Sequence, residues 1–336
     1  MTGWKQIASW SVGAAAAVVM AGSALAQEGP GEGKEVRMAR PTWDTGWFTT
    51  EIYRQALQDL GYEVGVPTTL DNPPFYQAVA QGDVDLWVEG WFPLHDTYRD
   101  SFESGAEIVG YVAKGGALQG YLVDKKTADE HGITNLDDFR KPEIKELFDS
   151  NGDGKADMVA CPPGWGCEEQ IAKHMEEFDL NDHINLIKAS YSASMADAIS
   201  RYEAGEPILF YTWTPNWTVG VLKTGEDVVW IETPEATEAE TVEGLEGCVD
   251  DPCEMGWEAN DIRPVANSAF LEENPAVRTL LEEMSIPLAD IFAQNAKMNE
   301  GEGDQDDIER HADEWIEANR DTFDGWIEAA KQAASE

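Results

Sequence analysis

The chain has 336 residues and carries 65 acidic against 23 basic side chains, a formal net charge of −42. That balance excludes nucleic acid as a partner, since phosphate binding needs clustered Lys and Arg. A hydrophobic content of 42% with 13 tryptophans excludes disorder and can build large cores. What remains is a folded protein with a heavily acidic surface, which suits a saline, halophilic setting where salt screens self-repulsion.

Residues 1–26 read as a secretory signal peptide. Lys5 precedes an apolar run from Val12 to Met20, and Ala24-Leu25-Ala26 is a small-x-small cleavage site. No later stretch reaches the roughly 18 apolar residues of a membrane span. Export to an oxidising compartment makes disulfides of the two close cysteine pairs, Cys161/Cys167 and Cys248/Cys253.

Glu35–Arg40 is predicted as a strand, 51–60 as a helix capped by Thr49 or Thr50, and 62–70 as a strand. A helix over 75–81 and a strand over 84–88 follow, in the β-α-β-α-β order of a mostly parallel sheet. Ligands of such sheets bind beyond the carboxyl ends of the strands. There the stretch Glu89-Gly90-Trp91-Phe92-Pro93-Leu94-His95 is expected to turn, presenting Trp91 and His95. The same layout of helix, Gly, acidic residue, apolar strand and Trp-x-Pro returns at 198–215, ending at Trp213. It marks an equivalent position in a second lobe.

Between these stretches, 119–124 is a strand crossing between lobes, and 127–132 and 137–148 are helices. The Asp/Gly-rich loop 149–157 has calcium-loop spacing, but its twelfth position is Ala160 where a bidentate Glu belongs; a tight turn fits better than a metal site. Residues 232–260 read as an acidic surface insertion. Helices over 275–285, 288–299 and 306 to the end close the chain, the last with a core stripe through Trp315, Ile316, Asn319, Phe323, Trp326 and Ile327.

The loop Cys161-Pro-Pro-Gly-Trp165-Gly166-Cys167 carries two readings. It is a stapled turn whose Trp165 packs on neighbours, or it offers an aromatic face beside the N–H groups of Gly166 and Cys167, a small anion nest. A methylated ammonium has no N–H donor, so side-chain acceptors cannot select it, whereas tryptophan faces can. Trp91, Trp165 and Trp213 could surround such a cation while Gly166, Cys167 and His95 hold a carboxylate. An enzyme is the competing class. It needs a nucleophile–base pair or metal set, yet the chain offers no Gly-x-Ser-x-Gly or His-x-x-x-His, and His131, His174, His183 and His311 are scattered, expected at the surface.

WFPLHD at 91–96, QGYLVDKKTAD at 119–129, FDSNGDGKAD at 148–157, CPPGWGCE at 161–168 and FYTWTPNW at 210–217 resemble the periplasmic glycine betaine/proline betaine-binding proteins of ProU-type ABC importers. The resemblance implies an α/β, two-lobed periplasmic binding protein fold of type II, with the ligand in the cleft between mostly parallel sheets. It implies lobe 1 over 27–122 and 266–336 and lobe 2 over 123–265. It places an aromatic box on Trp91, Trp165 and Trp213, carboxylate contacts on His95, Gly166 and Cys167, and a disulfide at Cys161–Cys167. It further implies no cofactor, no catalysis, a periplasmic monomer, and a membrane permease as partner. The segment 232–260, with Cys248 and Cys253, departs from the pattern. A different methylated onium, choline or dimethylsulfoniopropionate, stays open as the ligand.

Overall fold

The computed structural model describes Met1 and residues 29–335; the leader expected over 1–26 lies, apart from Met1, outside the described residues. Helix and strand alternate from β1 (Ala39–Pro41) through the helix Trp47–Asp59, β2 (Thr68–Leu70) and the helix Asn72–Gln81 to β3 (Leu86–Phe92). β4 (Ala106–Ile108), β5 (Ala113–Asp124), β6 (Ala156–Val159), β7 (Ile184–Ile187) and β8 (Leu209–Thr214) follow. β9 (Val228–Ile231), the short β10 (Thr241–Val242) and β11 (Cys253–Glu254), and β12 (Asn260–Asn267) complete the strands among the described residues.

β10 and β11 pair only with each other, antiparallel, and pairing sorts the other strands into two sheets of the same order. In the first, β2 and β1 are parallel, Met38 beside β1 bridges in parallel to Leu86 of β3, and β12 runs antiparallel to both β3 and β4. In the second, β7, β6 and β8 are parallel, and β5 runs antiparallel to both β8 and β9. Each sheet therefore has a single reversed strand, and the mostly parallel α/β architecture holds. β5 and β12 also pair with each other, Ala113 with Ile262 and Ala117 with Asn260, which joins the sheets.

β3 and β8 occupy the same place in their sheets, as the internal similarity suggests. Trp91 and Trp213 are not in turns, however. Each is the penultimate residue of its strand, with a cis proline two positions on at Phe92–Pro93 and Thr214–Pro215. Gly90 does not stop β3, because β12 lies too close for a side chain. A Cβ at Gly90 would meet the Arg263 carbonyl oxygen at 2.8 Å, so glycine is what permits the pairing.

Other boundaries move for local reasons. The helix expected over 137–148 splits into a 3-10 turn Leu136–Arg140 and a helix Pro142–Phe148, since Pro142 drives Lys141 out of helical angles. The C-terminal helix breaks at Asn319 into Gln305–Ala318 and Arg320–Ala333. The Asn319 side chain there donates to the Trp315 carbonyl at 2.9 Å. The stripe still packs: Ile316, Phe323 and Ile327 are buried and Trp315 stacks on Trp326 at 6.4 Å. Both helices lie against Trp47–Asp59.

The segment 232–260 is not wholly a surface insertion. It is stapled by Cys248–Cys253, but Met255 and Trp257 bury themselves, Trp257 beside Tyr121, Tyr211 and His174. His174 and His311, expected at the surface, are each 2% exposed. In the loop 149–157, Asp149 accepts from the N–H groups of Gly152, Asp153 and Gly154, so its carboxylate shapes the turn from within.

Candidate ligand site

The carboxyl ends of β3 and β8 point at the loop that precedes the helix Gly166–Glu177, and a small cavity lies where they meet. All six residues singled out from the sequence line it: Trp91, His95, Trp165, Gly166, Cys167 and Trp213. Sequence reasoning missed four further lining residues, Trp43, Leu94, Gln119 and Tyr211. Trp43 had a readable signal, since it follows β1 as Trp91 and Trp213 end their strands. Gln119 had none, because its place depends on the register that sets it opposite Trp213.

The rings form an edge-to-face chain. Trp165 meets Trp43 at 5.5 Å and 71°, and Trp213 at 5.6 Å and 81°. Tyr191 backs Trp165 and Trp213 at 6.0 and 4.7 Å. Trp91 lines the cavity from β3, with its indole N–H 3.4 Å from the Glu89 carboxylate. Glu89 lies buried behind the rings, held also by the Thr49 hydroxyl. Burial pushes its carboxyl up to about 7, against the hydrogen bonds from Thr49, Trp91 and Trp43 that pull it down.

The disulfide Cys161–Cys167 fixes the loop entering the helix. The first N–H groups of a helix have no intrahelical acceptor, so Gly166 and Cys167 offer theirs at the positive end of the helix dipole. No side chain caps this terminus. The His95 ring packs against Gly166 so closely that a Cβ there would meet its Cδ2 at 2.8 Å. Gly166→Ala is therefore expected to cost about 1–3 kcal/mol, as overpacking does, and to displace His95. Denaturant unfolding of the two proteins reads the cost, and unchanged stability would show that the ring moves aside freely.

His95 is a neutral donor. Its Nδ1 accepts from the Trp91 backbone N–H at 3.1 Å and from the Tyr76 hydroxyl at 2.8 Å. The ring proton therefore sits on Nε2, and it needs the oxygen of the Asn72 side-chain amide, 2.7 Å away, turned toward it. Burial lowers the imidazole pKa to about 3.

Contacts bridge the two sides of the cleft. Trp165 Nε1 donates to Thr42 Oγ1 at 2.8 Å, the Asn72 N–H to the Gly164 carbonyl at 3.2 Å, and the Thr97 hydroxyl to Glu169 at 2.8 Å. The aromatic wall is thus shared by both sides.

Residues 34–318 match the family model of the substrate-binding domain of ABC-type glycine betaine transport systems. The chain belongs to this family. It is a substrate-binding component of an ABC importer, not an enzyme. The glycine betaine-binding periplasmic protein OusX of Dickeya dadantii is 40% identical over 94% of this chain and 96% of its own. The glycine betaine/proline betaine-binding periplasmic protein of Salmonella typhimurium is 39% identical over the same shares. Among solved structures, lactococcal OpuAC complexed with glycine betaine aligns with a TM-score of 0.67 at 21% identity, over 88% of this chain and 99% of its own. A choline-binding protein complexed with choline aligns equally well, at 0.67 and 20% over 90% and 96%. At such identities these two structures speak to the fold alone. The first two relatives are periplasmic, and among the described residues no helix is long and apolar enough to cross a membrane.

Proposed function

We propose that the cavity binds glycine betaine or proline betaine, and that the chain delivers it to the permease of its importer from the periplasm, reached through a cleaved leader at residues 1–26. One observation carries this reading: four tryptophan rings and an uncapped helix N-terminus open onto the same small cavity. Trp91, Trp165 and Trp213, with Trp43, take the quaternary nitrogen, each desolvated contact contributing up to about 2 kcal/mol. The N–H groups of Gly166 and Cys167 take the carboxylate at the helix dipole. His95 adds its Nε2–H, shared with Asn72. All of these donors are neutral, so the ligand's two charges are matched by ring faces and oriented dipoles.

The lobes in this reading are 27–122 with 266–336, and 123–265. β5 and β12 supply the connection about which they close, and the rings of both lobes then shut over the ligand. The relatives named for glycine betaine support the ligand, since they cover nearly the whole chain.

Calorimetric titration of the protein, freed of carried-over ligand by unfolding and refolding, tests the reading with ligands that differ at one end. Glycine betaine and proline betaine should bind tightly, and choline, with the same cation and no carboxylate, at least about 10-fold more weakly, as expected where a buried donor loses its partner. Equal binding of choline would remove the carboxylate site, and no binding of any of them would remove the ligand class.

A further inference from the structure

Gln119 lies on β5, opposite Trp213 of β8, and is 2% exposed. Its Oε1 accepts from the Tyr211 hydroxyl at 2.6 Å. Its Nε2 is buried and has no hydrogen-bond partner among the described residues, although the side chain lines the cavity. A buried amide N–H left without an acceptor is costly, and native interiors rarely retain one. The acceptor is therefore to be sought in what fills the cavity.

We infer that Gln119 is a ligand-contacting, specificity-determining residue whose Nε2 amide donates to a carboxylate oxygen of the bound zwitterion. The inference rests on the proposed betaine site and extends it. Chemistry narrows the choice: a trimethylammonium group carries no acceptor, so the carboxylate oxygens are the only ligand atoms this N–H₂ can serve. With the Tyr211 hydroxyl proton on Oε1, Nε2 is the amide atom left to serve a ligand. Gln119 would thus join β5, one of the two strands that link the sheets, directly to the ligand. Without Gln119 the carboxylate would be left to the N–H groups of Gly166 and Cys167 and to His95, and an alcohol would then be distinguished less sharply from an acid.

Two variants separate this role from a structural one. Gln119→Glu keeps an oxygen for the Tyr211 hydroxyl but sets a second carboxylate oxygen where Nε2 stood. Gln119→Leu removes donor and acceptor together. Both are titrated with glycine betaine and, at millimolar concentration, with choline, following tryptophan fluorescence. The expected result is a dissociation constant for glycine betaine raised about 10-fold or more in Gln119→Leu, and further in Gln119→Glu, as for a lost hydrogen bond to a charged group. Choline binding should stay within about 3-fold in Gln119→Leu and hold or tighten in Gln119→Glu, where a negative charge faces the cation. Wild-type betaine affinity in Gln119→Leu would overturn the inference and assign Nε2 to a trapped water. An equal loss for both ligands in both variants would also overturn it, making Gln119 a scaffold residue. Failure of the wild-type protein to bind glycine betaine would instead sink the underlying site.

Discussion

Trp165→Ala is expected to raise the dissociation constant for glycine betaine at least about 30-fold, the equivalent of about 2 kcal/mol. The effect should exceed that of losing any other ring, because Trp165 holds three positions at once. It stands edge-to-face between Trp43 and Trp213 at 5.5 and 5.6 Å. Its indole N–H crosses the cleft to Thr42 at 2.8 Å. It also precedes Gly166, the first residue of the helix whose N–H groups face the ligand. Trp165→Phe separates these roles. It keeps an aromatic face and loses the bridge to Thr42, so its affinity should fall between wild type and Trp165→Ala. Trp326→Ala, altering a ring stacked on Trp315 in the C-terminal helices, should bind as wild type does. Calorimetry on the four proteins checks the order. A Trp165→Ala protein that remains folded and binds within about 3-fold of wild type would mean that this ring packs only on its neighbours.

Glu89→Gln is expected to gain stability relative to wild type as the pH rises from 4 to 8. The Glu89 carboxyl is 3% exposed, and burial raises it to about 7 from an ordinary 4.5. A carboxyl raised in the fold binds its proton more tightly when folded than when unfolded. Its contribution is therefore full below the unfolded value near 4.5 and is lost as the pH climbs to about 7. That interval corresponds to about 3 kcal/mol. Gln removes the titration and keeps one oxygen for Thr49, while its NH2 replaces the oxygen facing Trp91, a loss that is the same at both pH values. Its ionisable neighbour Tyr53 has a hydroxyl that burial holds above its usual range, so it stays neutral throughout. Denaturant unfolding of both proteins at pH 4 and 8 isolates the term, because the other acidic groups cancel in the difference. A stability difference independent of pH would show that Glu89 ionises in the fold as it does in water.

The parts of the fold set by local chemistry were legible. Apolar runs broken by Gly and Pro gave the helix–strand order, and the Trp-x-Pro endings after 88 and 211 marked corresponding strands of two sheets. Close pairing of the cysteines in the sequence pointed to both disulfides. What depended on distant pairing was not legible. Gly90 reads as a strand breaker until β12 is seen crossing beside it. Gln119 reads as an ordinary polar residue until register places it opposite Trp213. Trp257 reads as part of an acidic loop until it is found against Tyr121 and His174. His95 is a middle case: its strand-end position was readable, but its tautomer follows from contacts with Tyr76 and Asn72 that no local pattern encodes.

The central claim is a division of labour, with rings for the cation and a helix N-terminus for the carboxylate. A crystal structure of the protein with glycine betaine tests it most directly. The account predicts the quaternary nitrogen within about 6 Å of the ring centroids of Trp91, Trp165 and Trp213, the range of a cation–π contact. It predicts a carboxylate oxygen about 2.7–3.2 Å from the backbone nitrogens of Gly166 and Cys167. A ligand seated the other way round, or outside this cavity, would contradict it.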